Sequence, residues 1–93
     1  MSGRLAEAIR TRRVVEFSYR GRDHSVEPRA FGYDDAGELT LAGWQLAGER
    51  GQGFRTFEVK QIRRLTISGR RFEAERPEYD PTRQALRHLI SEV

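Results

Sequence analysis

The segment FRTFEVKQIRRL, residues 54 to 65, concentrates chemistry: Arg55, Lys60, Arg63 and Arg64 stand there against one acid, Glu58. Guanidinium and ammonium groups at this density offer charge-assisted hydrogen bonds to phosphate or carboxylate, and arginine offers them bidentately. The bias continues beyond the segment. Residues 55 to 71 hold six cations and one acid, whereas residues 73 to 80 hold four acids and one cation. A basic block suits a polyanionic partner such as nucleic acid or a phosphorylated ligand; equally, it solvates the outer faces of strands. The whole chain is only mildly basic, with a net charge of +3 and a pI near 9.9.

Arg55 stands two residues before Phe57, so strand parity aims both the same way. Phe57 then enters the core and Arg55 reaches its rim. A cation there needs compensation. An anionic ligand would supply it; so would an internal partner, Glu16 or Glu27, or a bulge that turns the side chain outward. On the ligand reading, Arg55→Ala weakens binding and leaves the thermal midpoint nearly unchanged. Tyr19 and Arg20 place an aromatic beside a cation, an arrangement that suits a stacked base and its phosphate, or a core-edge ring beside a solvated arginine. Arg29, after Pro28, points away from Val26 and joins the same patch. Trp44, the only tryptophan, is either a stacking platform or, as large aromatics dominate small cores, a packing residue that covers one of the two helices.

Other chemistry finds little support. The chain has no cysteine, so disulfides, thiolate metal sites and cysteine nucleophiles are excluded. His24 and His88 lie on different expected elements without partners at metal-ligand spacing, and Asp34-Asp35 reads as turn chemistry. The loop GERGQG lacks the lysine-threonine ending and following helix of a phosphate-binding loop. No catalytic set stands out, so neither an enzyme nor a cofactor is expected. No apolar run is long enough to span a membrane and the N-terminus has no signal-peptide core, which makes the cytoplasm the expected location.

The elements that must position these residues follow from periodicity. Leu5, Ala8 and Ile9 share one face of a short helix over residues 3 to 12. VVEFSYR alternates as a strand, RGRD turns at Gly21, and HSVEPRAFGYDD is a second strand in which Pro28 demands an edge, bend or bulge. ELTLAGWQLA is a third strand and GERGQG a flexible loop by composition. FRTFEV and RLTISG are the fourth and fifth, joined by a short turn at KQI that explains the broken period of residues 54 to 65. Asp80-Pro81 opens a C-terminal helix over about residues 81 to 92, with Leu86, Leu89, Ile90 and Val93 on one face. Burial of Leu89 there predicts a loss of about 2–4 kcal/mol for Leu89→Ala. The expectation is a single domain over residues 1 to 93. It is mainly β, with a five-stranded, bent, closed barrel at about 13 to 72 and one helix at each end, closure removing exposed edges.

The series LAEAIRTRRVVEFSYRG, VEP, GELTLAGWQ, FRTFEVKQI and Phe72 resembles the WYL domain, a bacterial module with an Sm-like, SH3-type β-barrel. The resemblance runs over about residues 4 to 72, and Tyr79 to Pro81 look like the tail of stand-alone versions. The name-giving tripeptide is Leu39-Thr40-Leu41 here. The family's Asp-Arg-Ile is Lys60-Gln61-Ile62, so Lys60 or Arg63 takes over from the arginine that Gln61 replaces. Only one short helix, and not a helix-turn-helix, is expected ahead of the barrel. The resemblance implies a sensor of transcription or defence regulation that contacts its ligand through Tyr19, Arg20, Arg29, Arg55, Lys60 and Arg63. The leading ligands are single-stranded nucleic acid or a nucleotide-like anion. The alternative is a protein-interaction or oligomerisation domain, partnered by a second copy or a separate regulatory protein.

Overall fold

The computed structural model describes residues 2–73 and 86–92. α1 (Ser2–Arg10) leads into β1 (Arg13–Tyr19), β2 (Arg22–Asp34), β3 (Leu39–Ala47) and β4 (Gly53–Glu58); a 3-10 turn at Val59–Gln61 then precedes β5 (Ile62–Arg71), and β6 (Leu86–Glu92) comes last. Six strands form one antiparallel sheet in the order β4-β3-β2-β1-β5, with β6 added on β2.

The thirteen-residue β2 organises the sheet. Its first half pairs with β1 up to Val26, its second half with β6 from Ala30 onward, and β3 runs along its other edge. Pro28 falls in the gap between the β1 and β6 ladders, and a register shift follows it against β3. A residue without an N–H belongs at such a place, as expected. Gly32 admits β6 to this edge: a Cβ there would collide with the backbone of His88 and Leu89.

The core lies on the face that carries Phe17, Val26, Phe31, Leu41 and Phe57, closed by Leu5, Ala8 and Ile9 of α1. A nine-residue helix is too short to stand alone. Burial holds it, at about 1.5–3 kcal/mol for each of Leu5 and Ile9, and Arg4 donates to the Leu65 carbonyl at 2.8 Å. The 3-10 turn at Val59–Gln61 is the turn expected at KQI; buried Val59 opens it and buried Ile62 follows it.

Two expectations are corrected. The sheet is not a closed five-stranded barrel, because β4 and β5, the ends of the path, do not pair. The 3-10 turn carries the chain off β4 so that β5 lands on β1. Its edges are managed by brevity in β4 and by cations along β5 instead of closure. Residues 86–92 form a strand, not the end of a helix. Leu86 packs on Ala30 and Ala42, while Leu89 and Ile90 are half exposed, so Leu89→Ala loses its rationale as a buried-core deletion. The expected helix start at Asp80-Pro81 lies outside the described residues.

Candidate functional site

Four of the six expected site residues converge where β1 ends and the 3-10 turn begins. Antiparallel pairing sets Tyr19 opposite Ile62 and Ser18 opposite Arg63. Arg20 and Gly21 form the two-residue turn between β1 and β2, closed by the pair Tyr19 and Arg22, and both have positive φ, 52° and 81°. That geometry belongs to a type I′ turn, which favours Asn-Gly; arginine at its first central position is strained by about 1–2 kcal/mol. The side chain has compensating contacts. Arg20 Nε donates to Gln61 Oε1 at 2.7 Å, a terminal nitrogen lies 3.4 Å from Glu58 Oε1, and the guanidinium sits 5.2 Å from the Tyr19 ring centre.

Tyr19 is fixed from both ends. Its ring meets Phe57 edge-on at 5.1 Å, and its hydroxyl accepts from the Glu58 backbone N–H at 3.0 Å. Lys60 Nζ lies 3.3 Å from Glu38 and 3.7 Å from Glu58, and the hydrogen bond and charge of Glu38, then the charge of Glu58, raise its pKa above the usual lysine value. Arg63 donates to the carbonyls of Lys60 and Ile62 at 2.7 and 3.2 Å and has no carboxylate partner among the described residues. The corner therefore holds three cations and two acids, with the charge of Arg63 left over. Gln61 links Arg20 to Glu58.

The other two expected residues lie elsewhere. Arg29 is buried, 2.7 Å from Glu27 and 4.6 Å from the Phe72 ring centre. Its charge is compensated inside the fold, out of reach of the corner. Arg55 shares the face of Phe57 as parity requires, but its compensation is neither Glu16 nor Glu27. Its guanidinium donates to the carbonyls of Phe54, Arg50 and Gly51 at 3.0 to 3.3 Å. It thus clasps the glycine-rich loop from inside.

Sequence reading missed the partner of that clasp. Gln45, fully buried, donates through Nε2 to the carbonyls of Glu49 and Gly51 at 2.7 and 2.6 Å. Its Oε1 is thereby left facing His24 Nδ1 at 2.7 Å, so Nδ1 carries the imidazole proton. The His24 ring stacks on Phe17 at 5.7 Å. The only sequence signal for this network was a glutamine at a core-facing position of β3. Trp44 is half-buried, edge-on to Phe54 at 4.8 Å.

Among the described residues no cluster of metal-ligating side chains occurs, and no helix is long and apolar enough to cross a membrane. No curated protein and no solved structure matches the chain. The family model of the WYL domain matches residues 2–67, which takes in α1, all of β1 to β4 and the Tyr19–Arg63 corner. The chain belongs to the WYL domain family, generally ligand-binding and regulatory rather than catalytic.

Proposed function

We propose that this WYL domain senses an anionic, nucleotide-like ligand or single-stranded nucleic acid at the corner formed by Tyr19, Arg20, Lys60 and Arg63. The observation that carries the reading is Arg63. Among the described residues it is an exposed guanidinium with carbonyl partners alone, on the strand that pairs with the end of β1, where a second guanidinium faces the Tyr19 ring. Such a place supports phosphate neutralisation with base stacking and requires no bond to be made or broken. Glu38 and Glu58 hold Lys60 and Arg20 in position until a phosphate competes for them. Arg29 and Arg55 serve the fold, and the ligand face is the corner without them. The setting proposed is regulation of transcription or defence in the bacterial cytoplasm, by a single domain.

Fluorescence anisotropy with a short labelled single-stranded oligonucleotide over a salt series tests this. Arg63→Ala should lower affinity by about 1.5–3 kcal/mol and reduce the salt slope by about 0.7 for the lost phosphate contact. A parent protein without salt-dependent binding to oligonucleotides or mononucleotides would refute the reading.

A second reading, an interaction domain, rests on Tyr33, Leu89 and Ile90, 42 to 49% exposed around β6. It predicts a concentration-dependent oligomer in sedimentation that Leu89→Ser disperses, with oligonucleotide binding absent.

A further inference from the structure

Across β5, β1 and β2, a groove of about 380 Å³ runs over Glu16, Ser18, Asp23, Ser25, Arg64 and Thr66. That volume lies in the range of small-molecule sites, about 300–1,000 Å³. Its walls follow from register. Glu16 is opposite Ser25 on one side and Thr66 on the other, and Ser18 is opposite Asp23. These polar side chains alternate with Val15 and Phe17, which enter the core. The two carboxylates are therefore diagonal neighbours on the β1–β2 hairpin, close enough to share one cation. Arg64 reaches the groove because the β1–β5 register shifts between Glu16 and Ser18, where Arg64 has φ 55°. A bulge of this kind re-aims a side chain, and strain in a non-glycine residue concentrates where a ligand is held.

The charged groups of this groove are uncommitted. Glu16, Asp23 and Arg64 make no ion pair with one another or with any other described residue. At the floor, the Ser25 hydroxyl is buried without a hydrogen-bond partner. Two carboxylates to one guanidinium disfavour a plain polyanion, which separates this groove from the basic corner at Tyr19. The arrangement is acidic over β1 and β2 and basic over β5, and β2 and β5 stand two strand spacings apart, roughly 9–10 Å.

We infer that the groove binds a small zwitterion whose ammonium lies between Glu16 and Asp23 and whose carboxylate meets Arg64, the two separated by several bonds. Lysine-like amino acids and short peptides have this chemistry. The hydroxyls of Ser18, Ser25 and Thr66 supply further hydrogen bonds along the ligand.

The test is backbone amide NMR titration of the full chain with 6-aminohexanoate, hexylamine and hexanoate. 6-Aminohexanoate should shift Ser18, Ser25 and Thr66 saturably, and each truncated probe, lacking one charge-assisted hydrogen bond, should bind about tenfold more weakly or worse. Glu16→Gln, Asp23→Asn and Arg64→Asn should each weaken 6-aminohexanoate to a similar degree; asparagine tolerates the positive φ at position 64. Arg63→Ala, which disables the proposed oligonucleotide site, should leave this binding unchanged. Absence of saturable shifts at those amides, equal binding of hexylamine, or indifference to all three groove substitutions would overturn the inference.

Discussion

Arg29 and Arg20 belong to the same chain and carry the same group, yet the fold treats them in opposite ways. Arg29 is buried against Glu27 and Phe72, in a stretch of β2 covered on both faces. Arg20 stands in a strained turn, largely exposed, held by a solvent-facing contact with Glu58 at 3.4 Å and a hydrogen bond to Gln61 at 2.7 Å. A buried pair fixes a structure because neither ion can leave without stranding the other. An exposed pair contributes little to stability and is open to exchange for a stronger anion. Charge in the sequence therefore does not identify a ligand site; the cost of displacing its partner does.

The largest effect expected from this contrast is at Arg29. Arg29→Ala removes the cation beside a buried carboxylate and should cost about 3–5 kcal/mol. Urea denaturation should show a lowered midpoint with an unchanged slope. Replacing both partners, Glu27→Gln with Arg29→Met, should cost less than Arg29→Ala alone. If Arg29→Ala unfolds no more easily than the parent, the contrast between the two arginines fails.

Arg55 sharpens the comparison from the middle. Among the described residues it has no carboxylate partner, and it donates to the carbonyls of Arg50 and Gly51 in the loop and Phe54 in β4. Arg55→Ala should cost about 1–2 kcal/mol, since each such bond contributes modestly. Amide exchange should quicken at residues 49 to 54, with oligonucleotide affinity unchanged. Loss of affinity without loss of stability would return Arg55 to the ligand face.

Arg20 should divide stability from binding. Asparagine suits the first central position of a type I′ turn better than arginine does. Arg20→Asn should thus hold the thermal midpoint or raise stability by up to about 1 kcal/mol, while oligonucleotide affinity falls. A loss on both counts would make the Arg20 contacts structural, like those of Arg29.

The sequence made much of this legible and left the rest to tertiary context. Alternation in VVEFSYR and the break at KQI were enough for β1 and the 3-10 turn, because core-facing residues there differ sharply from their neighbours. The pair Tyr19-Arg20 and the turn at Gly21 placed the corner. β6 was illegible for a specific reason: Leu86, Leu89, Ile90 and Val93 repeat at helical spacing, but the unpaired second half of β2, opened by Gly32, offers backbone partners that override the local pattern. Composition gave GERGQG only as a flexible loop, because the bonds that Gln45 and Arg55 make to its carbonyls leave no mark in composition.

Lys60 gives the smallest effect and the most direct reading of how exchangeable the corner is. Glu38 and Glu58 raise its folded pKa above the ordinary value of 10.5. A raised pKa means that the folded state holds the proton more tightly than the unfolded chain. The resulting stability is fully present below pH 10.5 and is lost only as pH rises through the higher folded value. Between neutral pH and pH 9 the thermal midpoint of Lys60→Met should therefore keep a constant offset from that of the parent. The offset should be small, as for other solvent-exposed pairs, and should shrink with added salt. A large, salt-insensitive offset would mean that Lys60 is locked as Arg29 is, with Glu38 and Glu58 unavailable for exchange. The corner would then be a structural ion network, and Arg63 alone would be left for the proposed anion.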